Sequence, residues 1–113
     1  MDRILEQTLL YDFYGELLTD HQKQIYEDVV FGDYSLTEVA EAHQISRQGV
    51  HDLIKRCDRT LRDYEEKLGL VHKFAETKRL VAQIHELTQE YERTGDSGCV
   101  RQIESLSREI GEL

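Results

Sequence analysis

The sequence contains no proline, no tryptophan, only two cysteines and no long apolar run. Without proline no position is barred from a helix interior, so long helices are the default expectation. Cys57 and Cys99 do not make the disulfide framework of a small exported domain. No apolar stretch approaches the roughly 20 residues of a membrane span. The opening Met-Asp-Arg-Ile-Leu-Glu-Gln-Thr has no signal-peptide layout. These absences lead to the expectation of a soluble, cytoplasmic protein without a membrane span. What is present fits one small domain, or one domain with an appendage: 113 residues, 39% hydrophobic and 33% charged. That supplies a modest core and argues against a disordered chain.

The formal net charge is -9, but it is unevenly spread. Residues 1–34 carry eight acids and two bases, and residues 63–113 carry eleven acids and seven bases. Between them, residues 35–62 set Arg47, Lys55, Arg56, Arg59 and Arg62 against four acids, a local net of +1. A locally basic segment in an acidic chain suggests a surface that faces a polyanion. A solvated helix face is the plainer explanation, and acidic flanks repel phosphate.

The periodicity is helical throughout, so the fold class is all-α with five or six helices. The first helix spans about 2–18, with Leu5, Leu9, Phe13 and Leu17 at four-residue spacing and Leu10 and Tyr14 widening the stripe. Thr19 with Gln22 and Ser35 with Glu38 fit the capping box that opens a helix. Ile25, Tyr26, Val29 and Val30 give the second helix its apolar face, and Gly32-Asp33 ends it. A short helix, Leu36 to about His43, is followed closely by one from about 47 to 68, which Ser46 starts and Gly69 caps. Its stripe is Val50, Leu53, Ile54, Cys57, Leu61, Tyr64 and Leu68. Beyond it, two amphipathic stretches flank Gly95-Asp96-Ser97-Gly98, the pattern of an antiparallel helical hairpin. The expected organisation is a helical domain over 1–69 and a hairpin over 70–113 packed on it or on a second copy of the chain.

Chemistry concentrates in 35–62. A short capped helix, a tight turn and a longer capped helix follow the plan of a helix-turn-helix. Ala40 suits the helix crossing, where only a small side chain fits, and Ile45, Val50 and Leu53 pack around it. The opposite face of the second helix presents Arg47, Gln48, His51, Lys55, Arg59 and Arg62. These side chains suit nucleic-acid contact: Arg47, Gln48 and His51 toward base edges, the later cations toward phosphate. Gln44 occupies the turn position that needs positive φ and commonly holds glycine. Gly49 weakens the start of the second helix, and Asp52 and Asp58 bring negative charge near its reading face.

Leu18-Thr19-Asp20-His21-Gln22, Tyr34-Ser35-Leu36-Thr37-Glu38-Val39-Ala40-Glu41, Ile45-Ser46-Arg47-Gln48-Gly49-Val50 and Leu61-Arg62 resemble region four of bacterial sigma factors. That region is a four-helix unit carrying a helix-turn-helix. Over its whole length, including Tyr11, Phe13 and Tyr14 and the C-terminal helices, the chain is similar to the YlxM-type helix-turn-helix family. The resemblance implies an all-α fold and a connection to the signal recognition particle, whose GTPase components are typically encoded beside family members.

Other constellations are sparse. The five histidines form no His-x-x-x-His pair, and His72 with Glu76 lacks a third ligand, so no metal and no cofactor is expected. Cys57 lies on an apolar stripe as a buried thiol, and Tyr11, Phe13 and Tyr14 read as helix packing rather than a base-stacking platform. No catalytic set can be assembled, so an enzyme is not expected. Two readings remain. In the first, the chain is a regulatory protein binding DNA or structured RNA weakly and with strong salt dependence. In the second, it is an adaptor that keeps the helix-turn-helix as scaffold and binds a basic partner of the secretion machinery.

Overall fold

The structure, a computed structural model, describes residues 3–113. Met1 and Asp2, where the first helix is expected to begin, lie outside the described residues. Six α-helices and no strand occur among the described residues: α1 Arg3–Tyr14, α2 Asp20–Tyr26, α3 Leu36–His43, α4 Arg47–Leu68, α5 Leu70–Thr94 and α6 Gly98–Gly111. None of them is long and apolar enough to cross a membrane. The chain divides into two compact units, one ending at Gly69 and the other running from Leu70 to Leu113.

Helix starts follow local chemistry. At α2 the Thr19 hydroxyl accepts from the Gln22 N–H, and the Gln22 side chain accepts from the Thr19 N–H. Ser35 and Glu38 repeat the arrangement at α3. At α4 the Ser46 hydroxyl accepts the Gly49 N–H at 2.9 Å. A Cβ on Gly49 would sit 3.1 Å from that same oxygen, so the glycine that weakens helix propensity leaves room for the cap. Two ends differ from the sequence expectation. The first α-helix stops at Tyr14 and tightens into a 3₁₀ turn over Gly15–Leu17, and α2 loosens into a π turn over Glu27–Phe31. A Cβ on Gly15 would lie 2.9 Å from the Tyr11 ring, so that ring folds over the glycine where the chain changes pitch.

The core of the first unit is built from one face of each helix. Ile25, Tyr26, Val39, Val50, Cys57 and Leu61 are almost wholly buried, each large one contributing about 1.5–3 kcal/mol of burial. The buried face of α1 is Gln7, Leu10 and Tyr14, continued by Leu18. The stripe expected from four-residue spacing is not the core: Leu5 and Leu17 are exposed, while Leu9 and Phe13 are half-buried. At the α3–α4 crossing, Ala40, Val50 and Leu53 are buried as expected, but Ile45 is only half-buried. The turn itself is a left-handed cap. Gln44 has φ 57° and ψ 42°, so it carries out glycine's role at a steric cost of about 1–2 kcal/mol.

In the second unit, α6 packs against α5 after a three-residue link. Leu80 and Cys99 are buried there, which gives Cys99 a packing role that the sequence reading did not assign. Ile84, Leu87, Ile103 and Leu106 are half-buried.

Candidate nucleic-acid interface

Helix α4 is anchored through a buried stripe that leaves the candidate residues outside it. Val50, Leu53, Ile54, Cys57 and Leu61 fix its rotation, because successive residues advance about 100° around a helix axis. That rotation places Arg47, Gln48, His51, Lys55, Arg59 and Arg62 together on one side, and all six are exposed. They divide into two groups. Arg47, Gln48 and His51 line a shallow hollow with Leu36 at the start of the helix. Lys55, Arg59 and Arg62 line another, farther along, with Arg3 of α1 and the acids Asp58, Asp63 and Glu66.

Within the first group, Asp52 competes for the reading side chains. The Gln48 amide donates to its carboxylate at 3.0 Å, and His51 Nδ1 lies 3.8 Å from the same oxygen. A base edge must displace these contacts to be read. In the second group the Arg62 Nε–H donates to Glu6 of α1 at 3.1 Å. Arg47, Lys55 and Arg59 have no ion-pair partner among the described residues. They are the cations that a phosphate meets without displacing a carboxylate.

Asp58 departs from its expected place. Its carboxylate is buried rather than on the reading face. It accepts the Tyr26 hydroxyl at 2.6 Å and the Gln7 amide at 3.1 and 3.2 Å, with Arg3 at 3.8 Å. One charge therefore ties α1, α2 and α4 together beneath the basic face. Burial, and then the hydrogen bond to Asp58, hold the Tyr26 hydroxyl far above the usual phenol range. Burial also pushes the neighbouring Cys57 thiol up to about 11, the property of a packed thiol and not of a nucleophile.

Arg3, Glu6 and the Gln7–Asp58 pair escaped the sequence reading. Asp58 follows Ile54 by one turn and precedes Leu61 by three residues, in phase with the buried stripe, and that phase is the signal. Gln7 is likewise in phase with Leu10 and Tyr14. Nothing local marks Arg3 or Glu6; their role comes from α1 packing across α4.

Residues 1–97 match the profile of the family described as "Putative helix-turn-helix protein, YlxM / p13 like", UPF0122. A UPF0122 protein of Thermoanaerobacter sp. (strain X514) is 47% identical, covering 99% of this chain and 97% of the relative. One from Caldanaerobacter subterraneus subsp. tengcongensis is 53% identical over 75% of this chain and 73% of the relative. Another, from Bacillus cereus (strain AH187), is 41% identical over 94% of this chain and 98% of its own length. On this match, with a short helix, a left-handed turn and a longer helix where the motif requires them, the chain belongs to the UPF0122 family of YlxM/p13-like helix-turn-helix proteins.

Proposed function

We propose that the protein is a cytoplasmic nucleic-acid-binding regulator whose α4 meets the ligand, acting in the signal recognition particle pathway as the family resemblance implies. The observation that carries the binding reading is the exposed face of α4, where Arg47, Gln48, His51, Lys55, Arg59 and Arg62 stand together beside the buried stripe that holds the helix. Arg47, Gln48 and His51 take the groove-facing turn, and Lys55, Arg59 and Arg62 take phosphate.

Binding is weak and salt-sensitive. The chain as a whole carries -9, and Asp52 and Glu6 already hold part of the face. About four cationic contacts give a log–log salt slope near -4 on duplex DNA. The test is a salt titration of wild type and the Lys55→Ala/Arg59→Ala double variant on promoter DNA and on signal recognition particle RNA. The double variant is expected to weaken binding to every sequence and to flatten the slope by about two.

The Asp52 clasp and the acidic balance support the adaptor as a second reading, in which a basic protein partner is bound and α4 is scaffold. That reading prevails if wild type binds neither nucleic acid at low salt while the double variant keeps full affinity for a protein partner.

A further inference from the structure

We propose that α1 belongs to the phosphate-binding surface: Arg3 and Arg62 grip one backbone phosphodiester with Lys55 and Arg59, and Glu6 restrains that grip as a resident anion. This rests on the nucleic-acid reading and adds a second helix to it, together with a control on its affinity.

The hollow beside the middle of α4 is not made by α4 alone. Arg3, from the first turn of α1, lines it beside Lys55, Arg59 and Arg62. Four cations line this concavity against three carboxylates, Asp58, Asp63 and Glu66. Asp58 is satisfied from within, so the cations outnumber the two acids left open and the concavity favours an anion, whereas the same cations spread along a helix make only a solvated face.

Asp63 and Glu66 line the hollow without a salt bridge among the described residues, whereas Asp58, which also lines it, and Glu6, which pairs with Arg62 beside it, are held in different ways. Asp58 is satisfied from below by Tyr26 and Gln7. Arg3 touches it at a long 3.8 Å, with 74% of the Arg3 side chain exposed. Arg3 therefore turns to a phosphate without leaving a buried carboxylate orphaned. Glu6 is different. It pairs with Arg62 at 3.1 Å, with the Glu6 and Arg62 side chains 37% and 54% exposed. An ion pair so open to water is weak, and a phosphodiester competes for Arg62 effectively. Once displaced, the Glu6 charge stays beside the bound phosphate and repels it. Glu6 thus lowers affinity in both the free and the bound state.

The test measures binding of wild type, Glu6→Gln, Arg3→Ala, Arg3→Lys and Lys55→Ala/Arg59→Ala across a salt series, on a short DNA duplex and on a hairpin RNA. Glutamine keeps the size of Glu6 and an oxygen for Arg62 while removing the charge. Glu6→Gln is expected to bind about three- to tenfold tighter at low salt, with the gain shrinking as salt rises. Arg3→Ala is expected to lose about two- to fivefold and to lower the salt slope by about one. Arg3→Lys is expected to keep the wild-type slope, which separates the charge of Arg3 from any packing role. The arm that shows these shifts identifies the source of the phosphodiester. If Lys55→Ala/Arg59→Ala weakens binding while Glu6→Gln and Arg3→Ala match wild type, the role of α1 is overturned and the α4 reading stands. If the double variant binds like wild type, or wild type binds neither ligand at the lowest salt, both are overturned.

Discussion

Asp58 concentrates the residue-scale physics of this chain. A buried carboxylate is tolerated only when its lone pairs are filled, and here Tyr26 and Gln7 fill them from two other helices. Asp58→Ala strands the Tyr26 hydroxyl and the Gln7 amide together. The expected cost is about 2–4 kcal/mol, read as a lower urea midpoint at unchanged slope; an unchanged midpoint would show that the network contributes nothing net. Protonation supplies a second test. The Cys57 thiol is raised from 9.0 to about 11, and the Tyr26 hydroxyl lies above its ordinary 10.0. Both groups hold their proton more tightly folded than unfolded. Their contribution is therefore complete below about pH 9 and is lost as the pH rises, from about 9 to 11 for the thiol and above about 10 for the phenol. Urea midpoints should fall between about pH 8 and about pH 10.5, with Cys57→Ala and Tyr26→Phe each flattening part of that fall.

At the scale of elements, the turn between α3 and α4 carries the motif, and its weak point is Gln44. Its left-handed φ of 57° is the conformation that glycine adopts at no steric cost. Gln44→Gly is expected to stabilise by about 0.5–1 kcal/mol, since relief of the strain exceeds glycine's added freedom in the unfolded chain; a denaturant melt measures it, and a loss of stability would mean that the Gln44 side chain makes a contact worth more than the strain. This turn was legible in the sequence because capping boxes and turn residues are local signals. Thr19 with Gln22, Ser35 with Glu38, and Ser46 each opened the helix they announced. The rotation of α1 was not legible. Two apolar stripes compete on that helix, and only tertiary contact with α4 selects Gln7, Leu10 and Tyr14 over Leu5 and Leu17. The same distinction governs the candidate interface. The six residues of α4 follow from periodicity, whereas Arg3 and Glu6 reach the hollow only because α1 crosses α4. The π turn at Glu27–Phe31 had no local signal either.

At the scale of the whole molecule, the two units solve the burial problem unequally. The first closes a core around α4. The hairpin, considered alone, pairs helices of unequal length: the 25 residues of α5 against the 14 of α6. At about 1.5 Å per residue the shorter helix covers little more than half of the longer one. Val81, Tyr91 and Val100 stay exposed, an apolar excess that a monomer in water carries at a cost. We propose that a second copy of the chain covers these residues, giving a homodimer with two α4 faces per particle. Light scattering across roughly a fiftyfold range of concentration should then show a mass rising toward twice 13.3 kDa. Val81→Asp with Val100→Asp should return the monomer while leaving the helical circular dichroism unchanged, because neither side chain is in the buried core. The dimer also bears on binding. Two faces on one such particle would engage a long duplex or a folded RNA together, so the double variant should lose more affinity for a long ligand than for a short one. A monomeric mass at every concentration removes the dimer, and equal losses on long and short ligands confine each particle to one working face.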